Sequence, residues 1–179
     1  NVISYIAMSL DGYIAGPDDD ISFLSMVEKE GEDYGYADFM KTVDTIFLGR
    51  KTYDKIKETG FEYPREKEVY IISHSTSFGD NALKYYSGPL KILISNLRNR
   101  QGGNIFCDGG SDVLNQLLQD NLVDEFFISV IPVILGDGIR LFKAGRPALN
   151  LQLVSAKEFD TGLVQLHYIR AESQQQAGN

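Results

Sequence analysis

The order of the predicted secondary structure restricts the possible folds more than any other feature of this sequence. Short apolar, β-prone segments predict strands at 2–9, 13–15, 45–48, 68–72 and 104–107. Apolar residues at helical spacing, separated by glycine-rich turns, predict helices at 21–30, 33–42, 51–58, 90–97 and 111–119. Strands and helices therefore alternate up to about residue 125. Such an alternation predicts a mostly parallel sheet that is covered by helices.

Only strands follow residue 125, which adds an antiparallel end to this sheet. A long apolar strand is predicted at 126–134, and Pro132 within it indicates an edge position or a bulge. Segments 151–159 and 163–169 then form a hairpin. We therefore expect an α/β fold with three layers, α-β-α, in which a mixed, mostly parallel central sheet ends in an antiparallel hairpin.

The chain length of 179 residues fits a single domain. Neither a linker nor an internal repeat is apparent, and 43% of the residues are hydrophobic, which is enough for a sizeable core. We expect residues 1–172 to form this domain and residues 173–179 to form a polar C-terminal tail.

Charge and cysteine content exclude several classes of partner and site. With 17 basic and 25 acidic residues the formal charge is −8, so neither nucleic acid nor an anionic membrane surface is expected as the main partner. The chain shows neither 18 consecutive apolar residues nor a signal-peptide pattern. A single cysteine, Cys107, excludes an internal disulfide and indicates a reducing, cytoplasmic location. With only His74 and His167 as histidines, we expect no metal site.

One predicted strand runs directly into a candidate phosphate site. Gly49 follows strand 45–48, and Arg50, Lys51 and Thr52 open the next predicted helix. Glycine lets the backbone approach a ligand closely, and a helix N-terminus offers free N–H groups and a positive dipole end. Arginine adds a planar fork that matches phosphate. The alternative is an ordinary tight turn with exposed charges.

Two other strand ends carry similar chemistry. Gly109, Gly110 and Ser111 follow strand 104–107, and the sequence Ser73-His74-Ser75 follows strand 68–72. In an open α/β sheet, ligands bind beyond the carboxyl ends of the strands. The alternatives are a closely packed glycine loop and a polar capping loop. Neither a Gly-x-Gly-x-x-Gly sequence that opens a helix nor a Walker A loop is present, so an ordinary Rossmann site is not expected.

A group of carboxylates follows the first strand. Asp11 lies in the first turn, and Asp20 directly precedes a predicted helix. Asp20 either caps this helix or faces a pocket, where its carboxyl would protonate a bound heterocycle. Asp11 is placed to fix its own loop through an Asx-turn.

Five collinear segments carry a resemblance to a known family. They are residues 9–15, 44–53, 108–110, 122–126 and 131–138. Together they resemble the RibD C-terminal reductase family, which shares the dihydrofolate reductase fold, and the resemblance extends over roughly residues 2 to 170. It implies a stand-alone bacterial reductase, because the His-x-Glu and Pro-Cys-x-x-Cys signature of a zinc deaminase is absent.

The resemblance implies NADPH as the hydride donor and assigns residues to it. Those expected to contact the adenosine-side phosphates are Gly49, Arg50, Lys51 and Thr52, with Ser73, His74 and Ser75 near the 2′-phosphate. Those expected beside the nicotinamide and pyrophosphate are Ala7, Ile14, Gly109, Gly110 and Ser111. Asp20 is the match for the carboxylate that assists protonation in dihydrofolate reductases.

The resemblance implies reduction of a pterin-like or ribosyl-aminopyrimidine substrate, as in 5-amino-6-(5-phosphoribosylamino)uracil reductase of riboflavin biosynthesis. Two alternatives stay open: dihydrofolate reductase activity, and an NADPH-binding sensor without turnover. The first loop is shorter than in dihydrofolate reductases and lacks their Pro-Trp pair. The resemblance also suggests a homodimer, for which the apolar segment 126–134 is the expected interface.

Overall fold

The computed structural model describes residues 1–74 and 83–171. Ser75 and the expected tail at 173–179 lie outside these residues. The described strands are β1 (Val2–Ser9), β2 (Tyr13–Ala15), β3 (Val43–Gly49), β4 (Glu68–Ile72), β5 (Leu83–Tyr86), β6 (Asn104–Cys107), β7 (Glu125–Ile131), β8 (Ile139–Arg140), β9 (Leu151–Glu158) and β10 (Val164–Arg170). The described α-helices are α1 (Tyr36–Thr42), α2 (Arg50–Glu58), α3 (Leu90–Arg98) and α4 (Ser111–Gln119).

Eight of these strands form one sheet in the order β5-β4-β3-β6-β1-β7-β10-β9. The strands from β5 to β7 are parallel to their neighbours, whereas β10 and β9 pair antiparallel. The predicted mixed sheet with an antiparallel end is thereby confirmed. The short strands β2 and β8 form a separate antiparallel pair beside the carboxyl end of β1.

Helices cover both faces of the sheet, which gives the predicted three layers. Phe47 of β3 is fully buried in the cluster that contains the apolar faces of α3 and α4. Its neighbours Ile46 and Leu48 point to the opposite cluster, which contains residues of α1 and α2. A strand that is buried on both faces has a continuous apolar sequence, and this is the pattern from which β3 is predicted.

The chain between β2 and β3 differs from the prediction. Helix 21–30 is only a 3₁₀ helix, Ser22–Val27, and helix 33–42 is only α1. Gly31, Tyr34 and Gly35 all have positive φ angles, which an α-helix does not accept. The Asp33 carboxylate accepts hydrogen bonds from the amides of Gly35 and Ala37, at 2.9 Å each, and so holds the first turn of α1.

Strand β7 is an interior strand, so the edge position expected for segment 126–134 is wrong. It ends at Ile131, one residue before Pro132, and pairs with β1 on one side and β10 on the other. Proline has no N–H to continue the ladder, so the strand stops there. The free edge on the antiparallel side is β9, whose eight residues are all exposed. An interior strand has no free edge to pair with a second copy, so the interface expected at 126–134 cannot form by edge pairing of β7.

A search for membrane-spanning helices within residues 1–74 and 83–171 finds none of sufficient length and apolar character.

Candidate active site at the carboxyl ends of the parallel strands

The two predicted strand–turn–helix units lie side by side and are joined by hydrogen bonds. The Gly49 amide donates to the carbonyl oxygen of Gly109 at 3.1 Å. The Gly110 amide donates to Thr52 Oγ1 at 3.0 Å. The turn after β3 and the turn after β6 are therefore held against each other, at neighbouring strand ends.

The glycines of both turns are required by conformation or by space. Gly109 and Gly110 have φ angles of +97° and +28°, which side chains rarely adopt. A Cβ atom on Gly110 would lie 3.1 Å from Thr52 Oγ1, and one on Gly49 would lie 3.3 Å from a methyl carbon of Val113. Close packing thus accounts for these glycines: Gly109 is buried, and Gly49 and Gly110 are partly exposed.

Arg50 begins α2 and lies on the β5 side of this edge. Its Nε atom donates to both Asp54 oxygens, at 2.9 and 3.0 Å, and its guanidinium lies 5.7 Å from the ring centre of Tyr85. The pairing with Asp54 raises the pKa of Arg50. Within residues 1–74 and 83–171, the hydrogen bonds that Arg50 makes to protein come from Nε. A guanidinium can bind a phosphate through two parallel N–H groups. Lys51 is exposed beside it.

The third predicted strand end lies one strand further along the sheet. Ile72 of β4 pairs in register with Gly49 of β3, and Ser73 follows directly. The Ser73 amide donates to the carbonyl oxygen of Tyr86 at 3.0 Å, while His74 is exposed. Ser73 and His74 therefore lie on the same side of the site as Arg50.

Ala7, Ile14 and Ser111 have different surroundings. Ala7 packs against the apolar cluster of the 3₁₀ helix Ser22–Val27, whereas Ile14 packs on the opposite, α4 side. Ser111 is buried, and its hydroxyl donates to the carbonyl oxygen of Arg140 at 2.7 Å. Because this hydroxyl binds within the protein, the start of α4 offers backbone groups rather than the Ser111 side chain to a ligand.

Asp20 is exposed and holds a turn. Its two oxygens accept hydrogen bonds from the Ser22 amide at 2.9 Å and from the Ser22 hydroxyl at 3.0 Å. These hydrogen bonds lower the pKa of Asp20. A carboxylate with a lowered pKa stays ionised at neutral pH and is a poor proton donor. The structure therefore favours a local structural role for Asp20: it is not the N-cap, which is Ile21, but it binds Ser22 in the turn just before the 3₁₀ helix.

Asp11 joins two of the segments that carried the resemblance. It accepts hydrogen bonds from the Ser9 hydroxyl at 2.6 Å and from the amides of Leu135 and Gly136 at 3.1 and 2.8 Å. The bond from Ser9 and those from the two amides lower the pKa of Asp11. This carboxylate fixes the loop after β1 to the loop after β7.

Asp108 is a candidate functional residue to which the sequence analysis assigned no role. It lies between β6 and the glycine pair, and the Tyr63 hydroxyl donates a hydrogen bond to its Oδ2 atom. Burial of the carboxyl raises the pKa of Asp108 to about 7. A carboxyl that is half protonated near neutral pH is suited to proton transfer. A single acidic residue between an apolar strand and two glycines was the sequence signal.

The site thus has two chemically different sides. The cations lie on α2, where Arg50 and Lys51 stand at the helix N-terminus beside Gly49. Asp108 lies on the α1 and α2 face of the sheet, near the aromatic residues Tyr63 and Tyr36. An anionic group would bind on the first side, and a proton would be exchanged on the second.

Comparisons with known proteins show the family and the fold of this chain. The family model of the RibD C-terminal domain matches residues 1–165. The chain is 40% identical over 171 residues to the uncharacterised protein YwjB of Bacillus subtilis (strain 168), and the match covers 94% of this chain and 97% of YwjB.

Solved structures show the same fold. A protein from Shewanella sp. PV-4 named after riboflavin biosynthesis superposes with a TM-score of 0.86 at 28% identity, over 96% of this chain and 99% of that one. A deaminase/5-amino-6-(5-phosphoribosylamino)uracil reductase from Thermotoga maritima gives a TM-score of 0.73 at 15% identity, over 95% of this chain and 56% of that one. Dihydrofolate reductase from Enterococcus faecalis, solved with NADP(H), gives a TM-score of 0.64 at 14% identity, with 96% of both chains covered.

Proposed function

We propose, because the chain belongs to the RibD C-terminal domain family, that it is an NADPH-dependent reductase of a pterin-like or ribosyl-aminopyrimidine substrate. The observation that carries the proposal is the pair of joined glycine turns after β3 and β6, with Arg50 at the start of α2. This arrangement combines bare backbone, a helix N-terminus and a guanidinium at one edge of the sheet, which is what a dinucleotide phosphate requires.

The residues present fit such a cofactor. A Cβ atom on Gly110 would meet Thr52 Oγ1, so the turn after β6 packs against the first turn of α2, where the phosphates would bind. Arg50, Lys51 and Ser73 would hold the phosphates, with the Tyr85 ring beside Arg50. Gly109 and Gly110 would lie next to the nicotinamide. When bound, reduced nicotinamide supplies the hydride for the reaction.

Asp108 would supply the proton that accompanies the hydride. Reduction of a C=N or C=O bond needs one proton on the nitrogen or oxygen, and a carboxyl with a pKa of about 7 is protonated in a large fraction of molecules at neutral pH. In this assignment Asp108 takes the role that the sequence analysis expected of Asp20. Asp20 would instead shape the loop between β2 and the 3₁₀ helix Ser22–Val27.

Titration with NADPH and NADH tests the cofactor assignment. We expect Arg50→Ala to weaken NADPH binding by about ten- to a hundredfold, because it removes charged hydrogen bonds to a phosphate. NADH should lose less, since it lacks the 2′-phosphate. Lys57→Ala, at the exposed opposite end of α2, is the matched control and should change binding less than about twofold. Unchanged NADPH binding in Arg50→Ala would contradict the assignment.

Turnover tests the reductase assignment. The loss of absorbance of reduced nicotinamide is followed with dihydrofolate, with dihydropterins and with the ribosyl-aminopyrimidine. Oxidation of NADPH with a dihydropterin or with the ribosyl-aminopyrimidine supports the proposal. Oxidation with dihydrofolate supports dihydrofolate reductase activity, the alternative. Tight NADPH binding without oxidation in any mixture would favour a cofactor-binding sensor.

The expected homodimer remains part of this proposal, with a new location. Strand β9 is a free edge of eight residues, and Leu153 and Val154 on it are 52% and 51% exposed. Long, apolar edge strands pair readily with another strand. We assign the homodimer contact to β9, because antiparallel pairing of two copies about a two-fold axis would satisfy its unpaired backbone groups.

A further inference from the structure

The connection between α2 and β4 contacts Asp108, the proposed proton donor. Helix α2 starts at Arg50 and ends at Glu58, and the connection that follows carries Phe61 and Tyr63. The Tyr63 hydroxyl donates to Asp108 Oδ2, which lies 45 residues further along the chain. The ring of Phe61 packs edge-on against that of Tyr63, with ring centres 5.3 Å apart.

Within residues 1–74 and 83–171, the ionisable side chains whose pKa responds to the charge of Asp108 are two phenols and the thiol of the preceding residue. Tyr63 comes from the connection after α2, Tyr36 from α1, and Cys107 from the residue before Asp108. Burial, with the nearby Asp108 charge, raises the pKa of Tyr36 and Tyr63, and burial raises that of Cys107 to about 12. All three groups are therefore neutral at physiological pH, and Tyr63 remains a hydrogen-bond donor.

We propose that Tyr63 is a positioning residue that holds Oδ2 of Asp108, so that Oδ1 carries the exchangeable proton toward the substrate. Tyr63 also links this carboxyl to α2, the helix whose first turn would hold the cofactor phosphates. The inference rests on the proposed function for its chemistry, whereas the contact between Tyr63 and Asp108 stands on the structure alone.

The proton transfer balances without any further reactant. The O–H bond of Asp108 would break as its proton passes to the nitrogen or oxygen of the substrate, and the reduced nicotinamide would supply the hydride with its electron pair. The carboxylate that remains would accept a hydrogen bond from Tyr63 and would regain a proton from a hydronium ion of the solvent. A donated hydrogen bond favours the ionised carboxyl, so Tyr63 limits the rise in the pKa of Asp108 that burial causes.

The substitution Tyr63→Phe separates this role from simple packing, because it keeps the ring and its contact with Phe61 but removes the hydroxyl. Tyr70→Phe is the matched control, since the Tyr70 hydroxyl also donates to a carboxylate, Glu68 Oε2 at 3.3 Å, away from the site. The pKa of Asp108 is read by NMR titration of the full chain with ¹³C-labelled aspartate. Asp108→Asn identifies the signal.

We expect Tyr63→Phe to raise the pKa of Asp108 by about one pH unit, the usual effect of one hydrogen bond, and Tyr70→Phe to leave it unchanged. In the turnover assay the apparent pKa that Asp108 gives to the pH–rate profile should rise by the same amount, with little change in the KM for NADPH. An unmoved Asp108 titration in Tyr63→Phe overturns the inference, because a packing role alone would not shift it.

A second measurement keeps the test open if Tyr63→Phe does not fold. Ring-fluorinated tyrosine keeps the volume of Tyr63 and is a stronger donor, so the pKa of Asp108 should fall rather than rise. No fall overturns the inference. If the protein binds no NADPH in the cofactor titration, the proposed function is overturned. The NMR titration of Asp108 still tests the contact with Tyr63, because it does not depend on the cofactor.

Discussion

Replacement of Asp108 by Asn should stabilise the protein at alkaline pH while it slows the proposed reduction. Burial raises the pKa of this carboxyl from 3.8 to about 7 in the folded protein. The unfolded chain exposes the carboxyl to water, where it ionises at its ordinary pKa. Ionisation therefore favours the unfolded chain, and above pH 7 the difference corresponds to about 4 kcal/mol of lost stability.

The sign of the pH dependence follows from the raised pKa. The folded protein holds the proton of Asp108 more tightly than the unfolded chain does, so the free energy of unfolding falls as the pH rises from about 4 to about 7. The cost is about 2 kcal/mol at pH 5 and about 4 kcal/mol at pH 8. Asparagine has no proton to lose, and its side-chain oxygen still accepts the hydrogen bond from Tyr63. The stability gain of Asp108→Asn should therefore grow by about 2–3 kcal/mol from pH 5 to pH 8.

Urea unfolding at pH 5 and pH 8 measures this gain for the wild type and for Asp108→Asn. Asp112→Asn is the control, because Asp112 is an exposed carboxylate in the first turn of α4 whose side chain is 74% accessible. It should change the free energy of unfolding by less than about 1 kcal/mol at both pH values. An Asp108→Asn gain of the same size at both pH values would refute the reasoning, and so would a loss of stability at pH 8.

Three further outcomes are expected. Gly110→Ala should destabilise the protein by about 1–3 kcal/mol and weaken NADPH binding, because Gly110 has a positive φ and the new Cβ would lie 3.1 Å from Thr52 Oγ1. Gly136→Ala is the control: it has open space around it and should leave NADPH binding unchanged in titrations. Burial alone would raise the pKa of Asp124, but hydrogen bonds from the Val2 amide and from two arginines lower it, so Asp124→Asn should cost about 2–3 kcal/mol at pH 7 in urea unfolding. That cost should shrink as the pH falls below about 4, and a pH-independent cost would contradict the assignment. Val154→Lys on the β9 edge should convert the dimer to a monomer in light-scattering measurements, and a monomeric wild type would refute the dimer.

Several elements could be predicted from the sequence with their bounds. Strands β1, β4 and β6 and helix α4 were predicted with the same first and last residues that the structure has. Each is a short apolar or helically periodic segment that ends at a glycine or a polar turn, so local residues alone decide it. The alternation of these elements was also sufficient to predict the mixed three-layer sheet.

Elements that depend on distant contacts were mispredicted or missed. The short strand β8 exists because it pairs with β2, more than 120 residues earlier in the chain. Segment 33–42 has helical composition, but the positive φ angles of Tyr34 and Gly35 delay α1 until Tyr36. Tertiary context overrides local preference in such cases. The interior position of β7 likewise depends on β1 and β10, which Pro132 alone did not reveal.

The fold class and the three strand ends at Gly49, Ser73 and Gly109 could be predicted locally, because apolar runs and glycine turns are local signals. Only the folded chain shows which strand ends are neighbours, which strand edge is free, and which carboxyl has a raised pKa. Asp20 and Asp108 are the same residue type, but Asp20 is exposed and bonded to Ser22, whereas Asp108 is only partly accessible and accepts a hydrogen bond from Tyr63. The pKa of a carboxyl depends on desolvation and on its hydrogen-bond partners, and both of these arise only when distant parts of the chain are brought together.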